Sequence, residues 1–108
     1  MERRTRRRIP VDLTVLFVTP DMEGVGLKKG SLRNLSSAGC AVESGVPVEV
    51  GADLALFIQV PRQVNTIKVD QATVRWVTDG EFGLTFRNQR PEEQERLRLW
   101  LATEQGVA

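Results

Sequence analysis

The chain contains no histidine, no tyrosine and only one cysteine, Cys40. Without histidine, the commonest general base and metal ligand is missing. A single cysteine forms no internal disulfide and cannot by itself build a zinc site. The carboxylates are scattered along the sequence rather than clustered. These absences speak against an enzyme, a metal or a cofactor. Apolar runs are short as well, and none approaches the roughly 18 residues that read as a membrane span. The N-terminus has no apolar leader, since its arginines run straight into Ile9-Pro10-Val11-Asp12. Together with the lone cysteine, this points to a reducing, cytoplasmic setting.

What is present is unevenly placed. Arg3, Arg4, Arg6, Arg7 and Arg8 crowd the first eight residues. With Glu2 they give that stretch a charge of +4, and the remaining hundred residues sum to −3, so the net +1 conceals a cationic arm on a mildly acidic body. Arginine presents a planar fork of donors that matches phosphate or a base edge, so the arm reads as an anion-binding device. At 108 residues, 41% of them hydrophobic, the chain suits one domain with a single modest core. The expected division is an arm over residues 1–10 and a folded body over 11–108.

Behind the arm the pattern is that of strands. Val11, Leu13, Val15 and Phe17 alternate with more polar neighbours, the period of a half-buried strand. A second strand ends near Leu32 or Asn34, and a short third covers Ala38 to Glu43. Leu54, Leu56, Ile58 and Val60 line one face of a fourth, stopped by Pro61. Ile67 to Val69 and then Ala72, Val74 and Trp76 trace one long strand or two short ones, with Trp76 in the register of the core. Thr78-Asp79-Gly80-Glu81 is a hairpin turn into Phe82-Gly83-Leu84-Thr85-Phe86. The period then changes. Pro91 suits a first helical position, Glu92, Glu93 and Glu95 complement the helix dipole, and Leu97, Trp100 and Leu101 form an apolar stripe. Some six strands without intervening helices, followed by a helix over about 91–105, predict a mainly β fold. An antiparallel barrel or sandwich with the helix docked on it fits best.

A second polar cluster stands at a strand end. Asn34 and Ser36, two apart on an extended chain, point to the same side and are able to address one ligand together. Gly39 lets backbone or ligand approach closely, although Asn, Ser and Gly are also the ordinary residues of a turn. Arg4-x-x-x-Arg8 before the first strand, followed by Asn34-x-Ser36-x-x-Gly39 at the end of the second, resembles the paired motifs of the PilZ domain family. The strand Leu54 to Val60, the Val74-Arg75-Trp76 segment and the Gly83-Leu84-Thr85-Phe86 ending before a helix also fall where that family has them.

The resemblance implies a six-stranded antiparallel β-barrel with a C-terminal α-helix that binds cyclic di-GMP. It implies that Arg4 and Arg8 contact phosphates and guanines, that Asn34 and Ser36 hydrogen-bond a guanine, and that Gly39 keeps the adjacent surface open. Arg3, Arg7, Arg33 and Arg75 are further candidates to assist. On this reading the ligand clamps the arm against the barrel, and the new surface signals to an unidentified protein partner. Two alternatives stay open. One is an adaptor of the same fold that works by protein contact without nucleotide. The other is a nucleic-acid-binding barrel with a basic arm, which the scarcity of a basic face on the body disfavours.

Overall fold

The computed structural model describes residues 8–19, 27–61 and 66–104. They form six strands and a helix: β1 (Ile9–Val18), β2 (Leu27–Leu35), β3 (Gly39–Glu43), β4 (Asp53–Gln59), β5 (Ile67–Thr78), β6 (Glu81–Arg87) and α1 (Pro91–Glu104). The strands close into an antiparallel barrel in the order β1-β2-β3-β6-β5-β4. Closure pairs the backbone of every strand on both sides and leaves no open edge to solvent. β1 begins at Ile9, two residues earlier than the alternation suggested, so it starts inside the stretch taken as the arm. The segments around Ile67 and Trp76 are one continuous strand.

Alternation decides what fills the barrel. Val15, Phe17, Leu56, Ile58, Val69, Val74, Phe82 and Leu84 are buried from strands whose intervening residues face outward. Burying each such side chain contributes roughly 1.5–3 kcal/mol. Phe17 and Phe82 meet edge to face across the interior with ring centroids 5.6 Å apart. Bulges between Pro10 and Leu13, Leu32 and Asn34, Leu54 and Leu56, and Val74 and Trp76 bend the strands enough to close the cylinder. The Asp79-Gly80 hairpin turn places Gly80 at φ +81°, where a side chain would be strained.

Helix α1 closes the core at the end where β5 begins. Its Leu97, Trp100 and Leu101 are buried in the same cluster as the strand residues. Glu93, in the first helical turn, fixes the docking: one carboxylate oxygen accepts the Lys68 N–H of β5 at 3.0 Å and a bond from Arg96 at 3.0 Å. Arg90, just before the helix, pairs with Asp70 of β5 at 2.8 Å. Among the described residues no helix is long and apolar enough to cross a membrane.

The bulge between Val74 and Trp76 overturns one expectation. Counting by twos from Ala72 puts Trp76 in the core, but the extra residue at Arg75 flips the register, and Trp76 emerges on the outer wall, 38% exposed.

Candidate functional site

The polar residues of interest gather where β1 begins, β2 ends and β3 starts. Asn34 lies opposite Pro10 of β1 on one side and Ala41 of β3 on the other. Arg8, the residue before β1, donates from Nη1 to Asn34 Oδ1 at 3.2 Å. Its Nη2 stands 3.0 Å from the position a Cβ would take on Gly39. The guanidinium therefore lies across the ends of β2 and β3, over a residue that has no side chain to hold it off. Arg8 makes no ion pair with a carboxylate among the described residues. Asn34 spends its carbonyl oxygen on Arg8, which leaves its amide N–H groups for an acceptor beyond the described residues.

Beneath this surface Ser36 is buried and holds the connecting turn. Its hydroxyl accepts the N–H of Ala38 at 3.0 Å and that of Gly39 at 3.1 Å, and donates to the Gly39 carbonyl at 3.3 Å. A hydroxyl has one donor and two acceptor lone pairs, and all three are engaged. The Ser36 N–H also donates to Gly39 O at 2.9 Å, and Phe86 N–H of β6 donates to Ala38 O at 2.8 Å. The turn is thus tied both to itself and to the neighbouring strand.

Gly39 is required by the packing. A Cβ there would overlap the Leu84 carbonyl oxygen of β6. Next in the chain, Cys40 faces the core, where burial pushes its thiol pKa up to about 12 against a smaller lowering by the nearby Arg8 charge.

Trp76 belongs to the same wall, and the sequence reading missed it. Successive strand pairings run from Asn34 to Ala41, from Ala41 to Gly83 and from Gly83 to Trp76, so these residues form one row across four strands. A Cβ on Gly83 would collide with the indole ring of Trp76. The ring therefore lies on bare backbone and turns its other side to solvent. A glycine in the middle of a strand was the available signal, because it marks a place where something approaches the backbone closely.

The structure thus brings Arg8, Asn34 and Gly39 together, with Ser36 under them. Arg3, Arg4 and Arg7 lie outside the described residues. Arg33, in the β2 bulge, is turned toward Glu43 at 3.7 Å and Asp12 at 3.9 Å, an exposed and weak arrangement. Arg75 is exposed beside Trp76. No cluster of potential metal ligands exists among the described residues.

The fold has counterparts among known proteins. The family described as PilZ domain matches residues 2–103. Among solved structures, the Bacillus subtilis inhibitor of motility MotI/DgrA aligns at TM-score 0.76 and 21% identity over 97% of this chain. This chain spans about half of that protein (52%). The PilZ domain of CeSA from a cellulose-synthesizing bacterium aligns at TM-score 0.71 and 17% identity, covering 91% of this chain and 98% of that one. The PilZ domain of YcgR from Escherichia coli, solved with c-di-GMP, aligns at TM-score 0.60 and 20% identity, covering 98% and 95%. These likenesses are in fold. No curated protein sequence matches the chain.

Proposed function

The chain belongs to the PilZ domain family, and from that premise we propose that it is a cytoplasmic sensor that binds cyclic di-GMP on the Arg8–Asn34–Gly39 wall and signals through a partner protein. The observation that carries the reading is the Arg8 guanidinium: a cation with no carboxylate partner among the described residues, held by Asn34 above a residue that has no side chain. The ligand has two phosphates and two guanines. Arginine pairs with phosphate, forks onto the O6 and N7 of guanine and stacks on a base, so one side chain suits every part of it. The YcgR domain solved with c-di-GMP supports the choice of ligand.

In this reading Arg8 makes the charge-assisted contact and Asn34 offers its amide N–H groups to a guanine acceptor. Gly39 lets the ligand lie close to the backbone. Ser36 acts through the turn it holds, since its hydroxyl is already committed. Trp76 offers the exposed side of its indole to a base, and such stacking contributes about 1–3 kcal/mol. Arg4, ahead of β1, supplies the second arginine as the ligand draws the arm onto the wall, and Arg3, Arg7, Arg33 and Arg75 assist. The surface composed of arm, ligand and barrel is what the partner recognises, and no bond in the ligand is broken.

Amide-resolved NMR during a titration with cyclic di-GMP tests this. Saturable shifts should concentrate at residues 34–41, at Gly83 and at the Trp76 indole N–H. An unchanged spectrum at millimolar ligand, or shifts centred on another wall, refutes the reading.

A further inference from the structure

Away from the β3–β6 wall, the outer face of β1 and β4 breaks the rule that outward strand positions are polar. Phe17 and Val15 point inward, so Leu16 and Val18 point outward; Leu54, Leu56 and Ile58 point inward, so Ala55 and Phe57 point outward. The pairings put these in register. One row reads Lys29, Leu16, Phe57 and Lys68 across β2, β1, β4 and β5. The next reads Leu27, Val18 and Ala55. Leu27 is 59% exposed, and the other four apolar residues are half-buried. Five apolar side chains thus adjoin on an outer wall whose following row, Ser31, Thr14 and Gln59, is polar as expected.

Among the described residues the charges that end the first row are basic. The chain has three lysines, and two of them, Lys29 and Lys68, close the two ends of the first row. Lys29 is exposed and makes no ion pair among the described residues. Lys68 lies over the Phe57 ring, 5.7 Å from its centroid, and reaches Asp70 at 3.5 Å. Asp70 in turn is held by Arg90 at 2.8 Å. Asp53, two residues before Ala55, is turned away to Thr73 and Gln71. On a body whose last hundred residues sum to −3, the first row of this strip ends, among the described residues, on a lysine at each side.

We propose that the β1–β4 wall, with Leu16, Phe57, Val18 and Leu27 at its centre and Lys29 and Lys68 at its ends, docks an acidic, apolar segment of a partner protein. The chemistry of that segment follows from the patch. Three strand spacings separate Lys29 from Lys68, about 14 Å at 4.8 Å each. The partner presents apolar side chains between carboxylates at a comparable separation. A membrane is the poorer occupant, because stable surface anchoring takes a polybasic cluster or a lipid chain, and two lysines at roughly 1 kcal/mol each fall short. Nucleic acid would meet an apolar centre where it needs cations. The wall lies at the other end of β1 from the Arg8 site, so this segment docks in addition to the partner that reads the arm–ligand surface.

The test places a photo-crosslinking benzoylphenylalanine at position 57 of the full chain in its own cells and maps the crosslinked residue by mass spectrometry. The proposal expects a segment of another polypeptide with Asp or Glu flanking apolar residues. A synthetic peptide of that segment should bind the purified wild-type protein saturably. The double variant K29E/K68E, shown to melt as the wild type does, should bind it at least tenfold more weakly, and a peptide with its carboxylates exchanged for lysine should regain affinity for that variant. A crosslink to a second copy of this chain, to lipid or to nothing overturns the proposal. So does a peptide that binds the wild type and K29E/K68E equally.

Discussion

Replacing Gly39 by alanine probes the junction on which the candidate site rests. The added Cβ would overlap the Leu84 carbonyl oxygen and come within 3.0 Å of Arg8 Nη2. The arginine can swing away, but the carbonyl belongs to β6 and moves only if the β3–β6 ladder opens where Gly39 faces Thr85 and Cys40 faces Leu84. Overpacking of this kind costs about 1–3 kcal/mol. Loss of one hydrogen bond at the opened end adds about 1 kcal/mol. The variant should therefore lose about 2–4 kcal/mol of unfolding free energy, a drop of roughly 10–20 °C in Tm for a domain of this size. Urea unfolding followed by far-ultraviolet circular dichroism measures it directly. Gly45→Ala is the matched control, because nothing lies within 4 Å of a Cβ at that position, and it should stay within about 0.5 kcal/mol of wild type. At a temperature where both variants are folded, Gly39→Ala should also bind cyclic di-GMP more weakly, since the arginine has been displaced. A Gly39→Ala protein as stable as the Gly45→Ala control would refute the reasoning about this junction.

Other expectations can be checked with the same few variants. Ser36→Ala leaves the Ala38 and Gly39 N–H groups without their acceptor, one of them buried, and should cost about 2 kcal/mol in urea unfolding. Trp76→Ala uncovers Gly83 and should cost about 1–2 kcal/mol of stability while weakening ligand binding roughly tenfold, read by calorimetry at a temperature where the variant is folded. Cys40 should resist thiol reagents in the native protein and react fully in denaturant, because its thiol stays protonated up to about pH 12. The same burial sets a pH dependence. The unfolded thiol ionises near 9.0 and the folded one near 12, so stability holds below pH 9 and falls as pH rises between them. Wild type should lose up to about 1.4 kcal/mol per pH unit more than Cys40→Ala over that window.

The barrel was legible because its strands obey simple alternation. Leu13, Val15 and Phe17, or Leu54, Leu56 and Ile58, declare their inner face by spacing alone, and the helix declares itself by Pro91 and the stripe Leu97, Trp100 and Leu101. Trp76 was not legible. A bulge adds one residue without leaving a compositional mark, and the Val74-Arg75-Trp76 run reads as regular alternation until the pairing with Gly83 is seen. The neighbourhood of Asn34 was readable from its motif, but the committed hydroxyl of Ser36 was not. The chain leaves the strand after Leu35, so the same-face rule for residues two apart ends there, and the side chain turns to satisfy its own backbone. Of the expected arginine pair, Arg8 stands at Asn34, while Arg4 falls outside the described residues. The apolar β1–β4 wall was hidden for another reason. Alternation already turns Leu16, Val18 and Phe57 outward, but only the register shows them lying side by side.

The central claim, that the Arg8 wall binds cyclic di-GMP, is tested most directly by calorimetric titration of that ligand into wild type and into Arg8→Ala. Both proteins should melt alike, because Arg8 is exposed and its one described bond is to Asn34. The account expects saturable wild-type binding and a loss of about 2 kcal/mol, close to thirtyfold in Kd, on removing a charge-assisted contact. Absence of binding by folded wild-type protein, or equal affinity in the two proteins, would contradict it.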